Sequence, residues 1–449
     1  MWSPNKLLQK YYIIITNGLM ELLTRVKRAE QMQSSSFSPL FGFDILAKFC
    51  SSLVLNTIIS DEPREIGLKG QREEDAVANV VLYEVFRNYA DRIYRPGDRR
   101  LFAEKAVEIF KDEFQMKDAQ ADAIDRLIMG NFHERSTVSY FKYVNNTDKP
   151  GKVKDMINQK IAAKSNNAFL GGVLDAPNGI RDVFRLSRIL FKEQQHLVLC
   201  GSPSSSKYEC LQIATILNDV VMLELNVPKF NAPAKFAQAF KQALLMVARL
   251  EETNGFIVIN DEQLRDPTYI DFAYNYISNI GKDEDCILMD EEFRAAVTKV
   301  QVDLFMKNRD NFRYDENKKP DLAQCLKKGV AKLMKHVHVV FMISDLQTYH
   351  EWISLFPGLE TKCDVMFLDD LSAPGYKSLT RTFLESAKID EDMAEEDRTH
   401  LVSSMVHAKE AVKQEIFRIF YGPDAAKPGL HVCDEFFNGQ GVETVYPNE

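Results

Sequence analysis

Three short segments of this 449-residue sequence carry residues whose types and spacing suit phosphate chemistry. The first is Gly201-Ser202-Pro203-Ser204-Ser205-Ser206-Lys207-Tyr208, which follows directly on the apolar run His196–Cys200. A phosphate-binding loop needs this context: a strand, then G-x-x-x-x-G-K-[ST], then a helix. Its glycines let backbone N–H groups converge on phosphate, its lysine reaches the outer phosphates, and its hydroxyl holds magnesium. Gly201 and Lys207 stand at the required spacing, with Ser204, Ser205 and Ser206 as further candidate phosphate contacts. Ser206 replaces the second glycine, Tyr208 replaces the magnesium hydroxyl, and Pro203 removes one N–H donor. A left-handed Ser206 would cost roughly 1–2 kcal/mol.

The second segment, Phe256-Ile257-Val258-Ile259-Asn260-Asp261-Glu262, is an apolar run ending in two carboxylates. In phosphoryl-transfer ATPases such a pair holds Mg²⁺ and polarises the attacking water. Asp261 is therefore the candidate metal ligand and Glu262 the candidate catalytic residue. The third, Val337–Ile343, ends at Ser344-Asp345, and Ser344 is a candidate γ-phosphate contact. Plain structural readings stand beside each of these. Gly201–Lys207 reads equally well as a surface loop with no ligand, and Asp261-Glu262 as a solvated strand end or helix cap. His336 and His338 flank an apolar strand and read as packing or satisfied polar residues. The acidic run Asp390–Asp397 reads as a solvated helix face.

The elements that must position these residues follow from the apolar pattern. His196–Cys200, Val220–Leu225, Phe256–Ile259, Val337–Ile343 and Val365–Leu368 are short, rich in β-branched and aromatic residues, and predict strands. Helical patterns lie between them near Ser206–Leu217, Ala234–Leu250, Leu322–Lys335 and Pro374–Lys388. Such alternation predicts an α/β fold with a parallel sheet flanked by helices. The first 140 residues lack any strictly alternating run and predict helices at Leu7–Arg28, Phe41–Ile59, Arg72–Tyr94 and Asp98–Phe114. Phe41–Ile59 reads as buried on several sides, Arg72–Tyr94 as amphipathic, and Asp98 as a capping residue. Asn145–Lys154 is polar and bears Pro and Gly, which marks a boundary. The resulting division is a helical subdomain at 1–144, a linker region at 145–168, an α/β core at 169–388, and a helical segment with tail at 389–449.

Composition narrows the function. A net charge of −9 argues against a nucleic-acid partner, which needs clustered Lys and Arg. The seven cysteines are scattered and form no C-x-x-C pair, so neither a disulfide framework nor a zinc site is indicated. No apolar stretch approaches bilayer length and no secretory signal stands out, which leads to the expectation of a cytosolic chain without membrane contact.

Taken together, the segments resemble one family. Leu170–Gly201 looks like the start of the fourth AAA+ module of dynein heavy chains, where an H-x-x-R-I-x-R-V-L helix precedes the strand and loop. Here that helix reads Val183-Phe184-Arg185-Leu186-Ser187-Arg188-Ile189-Leu190. His336–Asp370 resembles the same module's L-H-V-V-x-x-M-S-P, F-P-x-L and F-D-E succession. Val81–Phe102 resembles the W-x-H-E-x-x-R-V-F-x-D-R-L segment near the junction with the third module's lid, with Glu84, Arg87, Asp91 and Arg92 on matching positions. The resemblance implies the five-stranded AAA+ sheet, preceded by an all-helical lid subdomain.

It also implies ATP or ADP with Mg²⁺ as ligand, although the loop is eroded. Family arginines are missing from Tyr349–Leu355, and the lid's R-D-L corresponds to Phe43-Asp44-Ile45. Loss of an arginine finger costs about 10³–10⁵ in rate, so the resemblance implies a ring segment kept for shape rather than for turnover, and the eroded loop implies weak or absent nucleotide binding. Intact Asp261-Glu262 argues partly against that. The implied partners are the other AAA+ modules of a dynein ring and, indirectly, dynein intermediate and light chains. No direct microtubule binding is expected, because no heptad repeat of a stalk follows Tyr421 and the linker and first module are not found in the chain. The implied location is the cytoplasm or cytoskeleton, including the ciliary axoneme. Two alternatives remain: a stand-alone P-loop ATPase binding through Gly201–Lys207, and a scaffold built on an inactive AAA+ fold. A lid joined to the next module's body is also expected to expose apolar ring surfaces and self-associate.

Overall fold

Segments as apolar as His196–Cys200 and Val337–Ile343 are stable only where both faces are covered, which in a parallel sheet is the work of crossover helices. A computed structural model shows this arrangement and describes residues 6–28, 42–55, 73–116, 127–130, 142–145, 150–165, 169–176, 178–189, 195–225, 233–250, 253–261, 268–279, 290–311, 320–386 and 393–421. The chain divides into two compact units. One comprises Met1–Leu186, Ser204–Ile213 and Met366–Glu449, and the other Ser187–Pro203 and Ala214–Val365.

The first unit opens with α1 (Lys6–Arg28), α2 (Phe43–Leu55), α3 (Glu73–Asn88), a 3₁₀ turn at Ala90–Arg92 and α4 (Pro96–Phe114). Tyr11, Ile15, Leu19, Leu22 and Val26 form one buried stripe of α1, at the spacing of a helical face. That stripe lies so close to α4 that a Cβ on Gly18 would stand 2.7 Å from Phe110. Two expectations are reversed by packing. α2 buries one face only, through Ile45, Phe49 and Leu53, while Phe43 is 80% exposed. α3, expected to be amphipathic, is buried on every side from Val77 onward among the residues whose exposure is described. Asp98 does not cap α4: the helix starts at Pro96, whose fixed φ suits a first helical position, and Asp98 lies in the first turn.

Two short strands, β1 (Leu127–Gly130) and β2 (Lys142–Asn145), pair antiparallel within the stretch expected to be helical. Four residues each are too few to show alternation in the sequence. The polar boundary at Asn145–Lys154 is also shorter than expected, because α5 (Pro150–Lys164) begins at its proline. α6 (Phe169–Val173) and α7 (Gly179–Ile189) follow, and later in the chain come α15 (Ala373–Ser386) and α16 (Glu395–Tyr421). Gly172 allows α6 to approach α15, since a Cβ there would stand 3.0 Å from Leu379 Cα.

The second unit is built on a five-stranded parallel sheet in the order β4-β5-β6-β3-β7, as the AAA+ resemblance implies. The strands are β3 (His196–Cys200), β4 (Val221–Leu225), β5 (Gly255–Asn260), β6 (Val337–Ile343) and β7 (Cys363–Phe367). β3 and β6 are buried at every position, β5 at all but its last, and the edge strand β4 mostly half-exposed. Burying one such aliphatic or aromatic side chain is worth about 1.5–3 kcal/mol, which sets the register of these strands against slippage.

Helices α8 (Lys207–Leu217), α9 (Pro233–Arg249), α12 (Leu322–His336) and α15 match the sequence reading to within a residue or two. α10 (Thr268–Asn279), α11 (Glu291–Asn311), α13 (Leu346–Leu355) and the short α14 (Gly358–Lys362) were not foreseen. α9 packs Phe236, Phe240, Leu244 and Val247 inward. β5 meets α9 at Gly255, where a Cβ would overlap Val247.

Candidate functional site

In parallel α/β sheets, ligands bind beyond the carboxyl ends of the strands, and three candidate segments leave the sheet there. β5 and β6 are neighbours, with Asn260 opposite Met342, so the residues after them, Asp261 and Ser344, are brought together. The Ser344 hydroxyl donates to Asp261 Oδ1 at 2.9 Å, and the Ser344 backbone N–H donates to Oδ2. Asp261 is 9% exposed. On the other side of β6, the Gly201 N–H donates to the Ile343 carbonyl at 3.0 Å. The ends of β3, β6 and β5 are thus joined in sequence by hydrogen bonds from Gly201 through Ile343-Ser344 to Asp261. Asp345 then caps α13 by accepting from the Thr348 N–H at 2.7 Å. Glu262, the candidate catalytic residue, lies outside the described residues.

Beyond Gly201 the loop turns through a 3₁₀ segment at Pro203–Ser205 and enters α8 at Lys207. Ser206 has φ 54°, the left-handed conformation that a glycine normally supplies in this loop. Its carbonyl accepts from the Cys210 N–H at 2.9 Å, which starts the helix. Ser205, Ser206 and Lys207 are buried, and Tyr208 is half-buried. Ser204 is held through its carbonyl, which accepts from the Leu371 N–H at 3.1 Å and the Tyr376 hydroxyl at 3.2 Å. These ties fix the turn without any ligand.

The positions carrying the Val81–Phe102 resemblance form a buried polar network in the first unit. Arg87 donates to Glu84 at 3.0 Å and to the Ser52 hydroxyl at 2.6 Å, and Asn88 donates to the Glu84 carboxylate at 3.2 Å. Arg185, from the helix preceding the loop, pairs with Asp91. Arg99 donates to both oxygens of Asp369 at 3.1 Å and to the Ile93 carbonyl. Burial lifts the Asp91 carboxyl above its ordinary range, even with Arg185, Arg181 and Arg99 drawing it down. The sequence marked Asp91 and Arg185 only as matching positions, and their pairing across 94 residues had no local signal.

The two histidines at the junction of α12 and β6 serve packing. His338 lies buried against the Phe256 ring, donates through Nδ1 to the Gln195 carbonyl at 2.8 Å, and is pushed down to about 4 by burial. His336 Nδ1 meets the Asn254 side-chain oxygen at 2.7 Å.

The phosphate and metal roles fare differently. A phosphate group suits the loop: the left-handed Ser206 passes the chain into the start of α8, where helix-terminal N–H groups and Lys207 favour an anion. Mg²⁺ does not suit the residues present. A phenol stands at Tyr208 in place of the short hydroxyl, and both oxygens of Asp261 already accept from Ser344. Each oxygen keeps a second lone pair, but Mg²⁺ requires near-octahedral geometry at about 2.0–2.1 Å. A cation there would also face the positive ends of the Ser344 donors. Among the described residues no group of three or more His, Cys, Asp or Glu is placed to hold a metal.

Comparison with known proteins agrees with this architecture. Residues 176–422, more than half of the chain, match the family described as P-loop containing dynein motor region D4. Over 353 residues the chain is 18% identical to dynein axonemal heavy chain 3 of Homo sapiens, a match covering 74% of this chain and 8% of that protein. The chain therefore spans only a small part of the length of this curated relative. The fold, the order of the segments and the matched span lead to one assignment: the chain belongs to the dynein motor family, in its P-loop-containing D4 region.

Proposed function

We propose that this chain contributes a module of a dynein-type motor ring that holds a nucleotide through Gly201–Lys207 without hydrolysing it, and so acts structurally or as a regulator in microtubule-based movement. The observation that carries this reading is Ser206. Its φ of 54° puts a left-handed residue where the motif has its second glycine, at a cost of roughly 1–2 kcal/mol, which supports the reading of this turn as a phosphate loop. In this reading Lys207 and the N–H groups at the start of α8 hold the phosphates, with Ser204 and Ser205 shaping the turn. The partners are the other AAA+ modules of the ring, with dynein intermediate and light chains reached indirectly and microtubules not touched by this chain. The axonemal relative supports a cytoskeletal or ciliary location.

A second reading, a pure spacer, is favoured by the Asp261–Ser344 hydrogen bonds and the buried Asp91–Arg185 pair, which serve shape without ligand. Equilibrium binding of a fluorescent ATP analogue to the whole chain separates the two. Micromolar affinity that falls by about tenfold or more in Lys207→Ala supports nucleotide binding. No binding at about 1 mM nucleotide, roughly −4 kcal/mol, leaves the spacer. Measurable hydrolysis by the isolated chain would overturn both and favour a stand-alone ATPase.

A further inference from the structure

The residues of the loop and of the strand ends disagree with the metal that usually accompanies a phosphate loop. We infer that the nucleotide taken by Gly201–Lys207 is a metal-free nucleoside diphosphate, and that Mg²⁺ competes with this chain for the nucleotide instead of assisting its binding. This rests on the reading of Gly201–Lys207 as a nucleotide loop.

Two observations carry it. At the loop, the hydroxyl that would enter the metal's coordination shell is replaced by Tyr208, whose oxygen sits at the far end of a rigid ring. At the end of β5, Asp261 is buried and accepts two hydrogen bonds from Ser344, one on each oxygen. These donors balance the Asp261 charge within the protein, so no cation is required to make its burial tolerable.

The choice of diphosphate follows from charge. Without a metal, the groups of this loop that meet phosphate charge are Lys207 and the partial charges at the start of α8. A triphosphate carries one more charge and binds magnesium more tightly than a diphosphate does. In magnesium-containing solution the diphosphate is therefore the nucleotide more often free of metal.

The test is equilibrium binding of a fluorescent ADP analogue to the full chain, in excess EDTA and in excess magnesium. The expected result is binding in EDTA that weakens several-fold in excess magnesium; equal binding in the two buffers would overturn the competition. Tightening by about tenfold or more in magnesium would overturn the inference while leaving the nucleotide loop in place. No binding in either buffer would remove the loop reading and the inference together.

A direct metal readout completes the test. Manganese paramagnetic resonance should show no more Mn²⁺ immobilised by chain plus ADP than by ADP alone; an additional stoichiometric site would overturn the inference. The double variant Tyr208→Thr/Ser344→Ala, checked for folding by circular dichroism, returns the short hydroxyl and releases Asp261. It should gain a preference for magnesium of about tenfold. A folded variant that binds ADP and stays indifferent to the metal would show that Tyr208 and Ser344 are not what excludes it.

Discussion

Replacing Arg185 by methionine tests whether the buried polar network of the first unit holds its shape. Arg185 and Asp91 are both nearly fully buried and pair with each other. Removing one member of such a pair typically costs about 3–5 kcal/mol, because the other is left as an uncompensated buried charge. Arg185→Met keeps the long apolar stem and removes only the guanidinium. Arg181 and Arg99 also attract the Asp91 carboxylate, which places the expected loss near the low end, about 3 kcal/mol.

Protonation sets a ceiling on that loss. Asp91 can escape by taking a proton, and from its ordinary value of 3.8 this costs about 4 kcal/mol at pH 7. The sign follows from linkage: in the variant the folded state binds a proton that the unfolded state does not. Stability of Arg185→Met should therefore rise as pH falls, with up to about 1.4 kcal/mol recovered per unit. Denaturant unfolding at pH 7 and pH 5, with hydrogen exchange of the α3 amides to assign the transition, measures both effects. Asp91→Asn/Arg185→Met should recover about 2 kcal/mol relative to Arg185→Met alone. A loss below about 1 kcal/mol at pH 7, or a loss that does not shrink on acidification, would refute the argument.

Three further outcomes are expected. His338 is neutral in the folded protein, while the unfolded chain protonates below about 6.5; stability present above that pH should fall by about 3 kcal/mol as pH drops toward 4. His338→Gln keeps a donor for the Gln195 carbonyl and should flatten that part of the pH-stability curve. Gly329 sits inside α12 where an added Cβ would overlap Val297 of α11, so Gly329→Ala should lose about 1–3 kcal/mol to overpacking. The gain of about 1 kcal/mol in helix propensity offsets part of that, and a more stable variant in thermal unfolding would contradict the packing. At the loop, Ser206→Gly should leave stability within about 1 kcal/mol, while a β-branched Ser206→Val should lose about 1–2 kcal/mol or more. Equal melting temperatures for the two would remove the strain argument.

Much of the core was legible because its signals are local. β3 and β6 occupy the residues read from the sequence, since apolar runs bounded by polar residues are strands of a covered sheet wherever they occur. Lys207 begins α8 one residue from the expected start, and Ser206, which stands where the motif has its second glycine, is left-handed. β1 and β2 were missed because four residues cannot display a period. α10, α11 and α13 were missed because charged and apolar residues mix along them without a sharp apolar run marking either end.

Burial was less legible than secondary structure. α2 has the more apolar sequence, yet α3 is the more deeply buried, with Glu84, Arg87 and Asn88 inside the protein. Side-chain chemistry sets what burial costs, but partners decide whether it is paid: Ser52 and Glu84 satisfy Arg87, and Glu84 satisfies Asn88.

The sequence by itself determined the strands of the parallel sheet, the place of the loop and the identity of the groups available for chemistry, because each depends on neighbours within a few residues. Tertiary structure alone decided what those groups do with one another. Asp261 and Ser344 are 83 residues apart and meet only because β5 lies beside β6; Asp91 and Arg185 are 94 apart and meet only where α7 packs against the turn after α3. A carboxylate that reads as a metal ligand along the chain accepts, in the fold, a hydrogen bond from serine on each of its oxygens. Hydrogen bonds and desolvation act through space, and distance along the sequence carries no record of them.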